Sequence, residues 1–264
     1  MTVEVLVTTM HQSDIAKYRE MNLQTDAVIA NQADACAYEE LEVDTKRVRF
    51  VTTDTRGVST NRNIAITYSS ADIIVFADDD QIFIDGYEKI IADTFEAHPD
   101  ADAIKFYCES TTPDRPLSYK RPDSMQKASK RALMSAGVPC LAIKRSFLLD
   151  NNIFFDVNLG PGAKNYCGED SVFLSNLLKR KCIIYLSPEL LAFVNQGESS
   201  WFVGYDDKFF TSTGFVYARL YGVLAPLVIL RRAKNTKKRK NCTASYASMV
   251  SLMMRGFRQG YKQR

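Results

Sequence analysis

The 264-residue chain has only two histidines, His11 and His98, and a single tryptophan, Trp201. With so little imidazole, a histidine-built metal centre is not expected. Six cysteines (Cys36, Cys108, Cys140, Cys167, Cys182 and Cys242) lie far apart and form no C-x-x-C pair. They read as buried reduced thiols, not as zinc ligands or a disulfide framework. No stretch approaches the roughly 20 apolar residues of a membrane-spanning helix. The longest uncharged apolar run, residues 221–230, is broken by Pro226. Nor is there a basic region ahead of the first apolar run, Val3-Glu4-Val5-Leu6-Val7. No signal peptide is therefore expected, and the cytoplasm is the expected compartment. What is present is ordinary: 46% hydrophobic and 25% charged residues. That balance excludes a disordered chain or a collagen-like repeat, and the length suits one large α/β domain or two small ones.

Charge is distributed unevenly. Residues 231–264 hold eleven of the 34 Lys and Arg and none of the 31 Asp and Glu, so residues 1–230 carry a net −8 within an overall +3. Apolar groups flank the basic run on both sides, at residues 223–230 and 249–254. Apolar stretches beside Lys and Arg favour an anionic membrane surface over nucleic acid, and no nucleic-acid partner is expected. A solvated tail with a short amphipathic helix is the other reading. The extension 222–264 is thus set apart from a body, 1–221.

Along the body, hydrophobic patterning alternates strand and helix. Residues 3–9, 27–30, 48–51, 72–77 and 103–107 read as strands, and 14–21, 58–66 and 85–97 as helices. Ser13 or Asp14 would cap the first helix. Within residues 72–77, Ile73-Ile74-Val75-Phe76 is a continuous β-branched and aromatic run, which marks a strand buried on both faces. Such alternation predicts a Rossmann-like, mostly parallel sheet flanked by helices, with ligands outside the carboxyl ends of the strands. The first 107 residues would form one half of the body and 108–221 the other. The polar stretch 109–130 reads as a long mobile segment, either a flap over a ligand or an exposed loop. Further strands are expected at 140–143, 183–186 and 190–193, and helices at 145–150 and 169–181.

Two acidic motifs carry chemistry. Asp78-Asp79-Asp80 follows the buried strand directly. Alternation lets Asp78 and Asp80 face the same way and share a hard divalent cation, Mg²⁺ or Mn²⁺, which accepts carboxylate oxygens and completes its shell with water and phosphate. The plainer reading is a solvated acidic turn. Gly168-Glu169-Asp170 sits between a glycine-rich loop and a helix, where a carboxylate also serves as a cap. Together the motifs suit a displacement, with a cation steadying a leaving diphosphate and a carboxylate taking a proton from an attacking hydroxyl.

These motifs, in order with the opening strand, Gly57-Val58-Ser59-Thr60-Asn61-Arg62-Asn63, Gly160-Pro161-Gly162-Ala163-Lys164 and Gly168-Glu169-Asp170-Ser171-Val172-Phe173, resemble family 2 glycosyltransferases over about 200 residues. Glu198-Ser199-Ser200-Trp201-Phe202 is similar to a segment of bacterial capsule and cell-surface polysaccharide enzymes of this type. The resemblance implies a GT-A fold, a nucleotide-sugar donor, a divalent metal and inversion at the anomeric carbon. It implies that Asp80 and Asp78 hold the metal, with Asp78 and Asp79 beside the donor. Thr8, Thr9 and Arg62 would line the nucleotide pocket, Asp170 would be the general base, and Glu169 would orient the acceptor. Trp201, Gly162 and Gly168 would contact the acceptor, a glycan or a lipid-linked molecule.

Three departures matter. Asn31-Gln32, with Asp34 beyond, stands where the family has an Asp-Asp pair that holds the base, so recognition of uracil is left open. Histidine is too scarce for an imidazole metal ligand late in the chain. A Gln-x-x-Arg-Trp motif of processive synthases is missing, which points to transfer of one sugar. Two other readings remain: a nucleotidyltransferase, whose basic glycine-rich loop is absent from residues 8–13, and a non-catalytic binding protein led by the basic extension.

Overall fold

The computed structural model describes residues 1–112, 114, 117, 119–195 and 204–263. The chain runs β1 (Val3–Met10), α1 (Ala16–Glu20), β2 (Asp26–Gln32), β3 (Ala37–Val43), β4 (Lys46–Thr53), α2 (Val58–Tyr68), β5 (Ile73–Asp78), β6 (Gln81–Phe83), α3 (Tyr87–Ala97) and β7 (Ala103–Ser110). Then come β8 (Gln126–Lys127), α4 (Lys130–Ala136), β9 (Leu141–Lys144), α5 (Arg145–Asp150), α6 (Glu169–Lys179) and β10 (Ile184–Val194). Helices α7 (Asp207–Tyr221), α8 (Ala225–Lys237) and α9 (Tyr246–Lys262) follow, with a 3-10 turn, Gly222–Leu224, between the first two.

One sheet has the order β3-β4-β2-β1-β5-β9-β7-β10-β6, with β8 on the early part of β10. Strands β4, β2, β1 and β5 are mutually parallel, as are β7 and β10, while β9 runs antiparallel between β5 and β7. Apolar runs arise because helices cover both faces. Val5, Val7, Ile29 and Val75 point to the side of Tyr87, Ile91 and Phe95 on α3. Leu6, Val28, Ile74 and Phe76 point to the side of Ala65 and Ile66 on α2 and Phe173 and Leu177 on α6. The mostly parallel, Rossmann-like sheet expected from the sequence is present.

Several elements differ from expectation. Strand β3 had no counterpart in the sequence reading. Its seven residues lie almost wholly exposed as an antiparallel edge on β4, and its three glutamates suit an edge that must not pair further. The two strands expected at 183–186 and 190–193 are one strand, β10, whose pairing with β7 shifts register around Pro188. Proline removes a ladder donor, which makes one irregular strand look like two. Helix α1 is shorter than residues 14–21, though Asp14 Oδ1 accepts from Ala16 N at 2.7 Å. In the segment 109–130, β7 continues to Ser110, Tyr119 is buried, and Arg121 Nε donates to Pro188 O at 2.7 Å.

The basic extension is folded. Phe209 and Phe210 of α7 share an apolar core with Ile229 and Ala233 of α8 and Met249 and Met253 of α9. Helix α7 ties this unit to the sheet: Phe215 and Val216 pack with Leu159 and Val172, and Arg219 Nε donates to Asp156 Oδ2 at 2.5 Å. The sequence reading found no membrane-length helix. In the structure the helical stretch Asp207–Lys237 contains an 18-residue window with a mean hydropathy of 1.6, long and apolar enough to cross a membrane by length and composition alone.

Candidate functional site

Carboxyl ends of parallel strands gather the first residues. Thr8 on β1 lies opposite Asp78 on β5. Its hydroxyl donates to Asp78 Oδ1 at 3.1 Å, and that of Thr9 donates to Asp79 Oδ2 at 2.6 Å. The Asp78 backbone N–H donates to Gln81 Oε1 at 2.9 Å, folding the acidic turn back on itself.

Helix α2 then joins this turn to the rest of the site, and its polar residues divide the labour. Ser59 Oγ donates to Leu159 O at 2.7 Å. Asn61 Nδ2 donates to Thr9 O at 3.1 Å and Ala30 O at 2.7 Å, fastening the ends of β1 and β2. Asn63 exchanges two hydrogen bonds with the Phe155 backbone, at 2.9 and 2.8 Å. So anchored, the helix directs the buried Arg62 at two acids. Arg62 Nη2 donates to Asp78 Oδ1 at 2.9 Å and Nη1 to Asp170 Oδ1 at 2.7 Å. Its guanidinium lies 5.2 Å from the centre of the Phe155 ring. The Asp170 Oδ2 atom accepts from Val138 N at 3.0 Å. One arginine thus links carboxylates 92 positions apart in the chain, Asp78 and Asp170.

Two cavities open on either side of that link. The first, about 360 Å³, is bounded by Thr8, Thr9, Gln32, Arg62 and Asp79. The second, about 540 Å³, is bounded by Asp80, Lys105, Tyr119, Gly168 and Asp170. Asp78 and Glu169 border both. All of Thr8, Thr9, Arg62, Asp78, Asp79, Asp80, Glu169, Asp170 and Gly168 therefore converge. Gly162, expected beside the acceptor with Gly168, instead borders the first cavity with Thr8 and Thr9. Its loop turns back on α2, where Val58 N donates to Pro161 O at 3.0 Å. Trp201 lies outside the described residues.

Gly168 starts α6 with φ +90°, and a Cβ there would collide with Val216 of α7. A side chain at this position would displace the turn that presents Glu169 and Asp170.

Residues 27–151 match the family model described as glycosyl transferase family 2. That span contains Arg62 and the acidic turn but stops short of Glu169 and Asp170. The structure is similar to S. aureus TarS 1-349 in complex with UDP-GlcNAc, at TM-score 0.68 and 12% identity, covering 97% of this chain and 82% of that one. It is also similar to the same protein in complex with UDP, at TM-score 0.59 and 13% identity, covering 99% and 72%. A further S. aureus TarS structure gives TM-score 0.60 at 13% identity, this chain covering 43% of its length. No curated protein matches by sequence. The chain has a GT-A fold, a central sheet flanked by helices.

Several residues of this site take roles that the sequence did not assign, and Lys105 was missed altogether. Gln32 accepts from Gly57 N at 2.7 Å through its side chain, and Asn31 exchanges bonds with the Gln12 backbone at 3.0 and 2.9 Å. The pair that departs from the family pattern thus braces two loops of the first cavity. Asp34 pairs instead with Arg56. Lys105 is fully buried, donates to Pro139 O and lies 5.7 Å from the Tyr119 ring centre. A charged residue inside an apolar strand was its signal.

Electrostatics distinguish the acids. Burial, then the neighbouring Asp170, push the Glu169 carboxyl up to about 7, against the pull of Arg62. Burial, then Asp78 and Asp79, push Asp80 up to about 6. Between the ordinary carboxyl range and about 7, the folded chain binds more protons at Glu169 than the unfolded chain does. Its contribution to stability is therefore lost as pH rises through that window. Glu169→Gln is expected to raise Tm at pH 8, on the order of 3 °C for 1 kcal/mol regained, and to do little at pH 5. Thermal melts of both proteins at the two pH values check this.

Proposed function

We propose that the protein is an inverting glycosyltransferase that moves one sugar from a nucleoside-diphosphate sugar to a hydroxyl of a glycan or lipid-linked acceptor. The observation that carries this reading is the Arg62 link between Asp78 and Asp170, with a cavity on each side. The nucleotide occupies the Thr8 and Thr9 side, and the acceptor enters the side of Gly168 and Asp170. A uridine nucleotide is the first candidate, because the similar S. aureus protein is seen with UDP-GlcNAc and UDP.

Asp80 and Asp78 suit a hard divalent cation, Mn²⁺ or Mg²⁺. Both offer carboxylate oxygens, and burial, then the neighbouring Asp78 and Asp79, raise the Asp80 carboxyl to about 6. Among the described residues no group of three His, Cys, Asp or Glu side chains is arranged to hold a metal. Diphosphate and water must supply the remaining positions, as Mg²⁺ sites commonly allow. When bound, such a cation neutralises charge on the departing diphosphate.

The chain's own groups do the rest. Thr8 and Thr9 fix the two leading aspartates. Arg62 and Val138 N–H hold the Asp170 carboxylate in one orientation at the edge of the second cavity. An acceptor hydroxyl there gives its proton to Asp170 as it attacks the anomeric carbon opposite the diphosphate. Glu169, bordering both cavities, orients the sugars.

Incubating the full chain with UDP-GlcNAc and Mn²⁺ tests the reading. Slow UDP release is expected, abolished by EDTA and lowered at least about 100-fold in Asp80→Ala. Pyrophosphate release would instead make it a nucleotidyltransferase, and unchanged activity in Asp80→Ala would remove the acidic turn from the mechanism.

A further inference from the structure

The most exposed apolar side chains of the C-terminal helices lie together. Val223 is 71% exposed, Leu227 67%, Leu224 60% and Leu230 44%. Leu224, Leu227 and Leu230 recur at the three-residue spacing of one helical face. Tyr246 OH lies 3.5 Å from Leu230 O, so an exposed aromatic ring adjoins the same patch. One and two turns beyond Leu227 along the face of α8, the exposed side chains become Arg231 and Lys234. The opposite face, Ala225, Ile229, Ala233 and Thr236, is buried against the neighbouring helices.

We infer that this face is a docking surface for an anionic lipid bilayer, with the leucines entering the interface and the cations meeting the headgroups. Charge chooses the occupant. Residues 231–264 have eleven positive and no negative side chains, which complements an anionic surface. A second copy docked about a two-fold axis would set the same basic run against itself, so self-association is disfavoured. A nucleic acid would match the cations but leave four apolar side chains in water. The membrane-length stretch Asp207–Lys237 lies on the bilayer and does not cross it, because 44% of its apolar window is buried inside the protein. Crossing would strip α7 from α9 and from the loop before α6, whereas an amphipathic helix can rest in the interface with its inner face still packed.

This inference does not depend on the sugar-transfer reading, and its test does not use activity. The full chain is floated with vesicles of phosphatidylcholine alone and of phosphatidylcholine mixed equally with phosphatidylglycerol. Binding is expected only with phosphatidylglycerol, and to weaken with salt. The triple variant Leu224→Ser, Leu227→Ser, Leu230→Ser should bind roughly ten-fold more weakly or worse, as should Arg231→Glu with Lys234→Glu. Both variants alter exposed side chains, so circular dichroism and Tm should match the parent. No binding of the parent to anionic vesicles overturns the inference. So does undiminished binding of the serine variant. A dimer in sedimentation that the serine variant dissolves, without vesicle binding, assigns the face to a second copy and equally overturns it.

Discussion

Asp170→Asn is expected to lower kcat for sugar transfer by about 10²–10⁴-fold, the usual contribution of a positioned base, with UDP affinity close to that of the parent. The two effects separate because Asp170 borders the second cavity and not the first. Asparagine keeps the size of the side chain and an oxygen able to accept from Val138 N, so the loop before β9 keeps its anchor. Arg62 keeps its bond to Asp78 and the field of Glu169. What asparagine cannot do is take a proton from the attacking hydroxyl. Steady-state transfer and UDP titration on the two proteins check this. A kcat within about three-fold of the parent would remove Asp170 as base and direct attention to Glu169. A large loss of UDP affinity would instead mean that the Arg62 link, and not proton transfer, had been broken.

Much of this site was legible because it is built from strand ends and one helix. A buried strand that ends in three aspartates announces where a parallel sheet presents ligands, and Asp78 lies there, beside Thr8. The stretch Gly57-Val58-Ser59-Thr60-Asn61-Arg62-Asn63 was legible as a motif but not as a machine. Nothing in the spacing of Ser59, Asn61 and Asn63 says that each bonds a different backbone segment, or that Arg62 then spans two acids. Those partners lie up to 108 positions away. That Gly162 borders the cavity of Thr8 and Thr9 was not legible for the same reason, since its loop folds back on α2 through a contact no local pattern encodes.

The fold follows a similar division. Strands β1, β2 and β5 are buried on both faces and read as apolar runs. Strand β3 buries neither face, so neither alternation nor an apolar run marks it, and only the free edge of β4 gives it a place. Helices α7 and α9 were harder again. Gly214, Gly256 and Gly260 argue against helix by propensity, yet all three are helical. Tertiary contact overrides propensity here, because these glycines let two backbones approach.

That approach carries the second large effect. Gly256→Ala is expected to destabilise the protein by about 3 kcal/mol, the upper range for overpacking a filled interior, and to lower Tm by roughly 6–12 °C. In an exposed helix the same change stabilises by up to about 1 kcal/mol, so even the sign is diagnostic. A Cβ at Gly256 would overlap the carbonyl oxygen of Thr211, and one at Gly214 the carbonyl oxygen of Met253. The collisions are reciprocal and involve backbone, so no side-chain rotation relieves them. Parting the helices would open the core around Met249 and Met253 and pull on the bond from Arg219 Nη1 to Gly260 O, 2.9 Å long. Gly260→Ala is the graded control: its Cβ would meet Phe215 O at 2.9 Å, a milder overlap that should cost less. Thermal melts of the three alanine variants should rank Gly214 and Gly256 as the most damaging and Gly260 as the least. An unchanged or raised Tm for Gly256→Ala would mean that α7 and α9 do not meet at the backbone. A loosened α7 also frees Val216, which abuts Gly168 at the start of α6. The variants that melt earliest should therefore show the greatest loss of transfer at temperatures well below their Tm, although none touches a cavity.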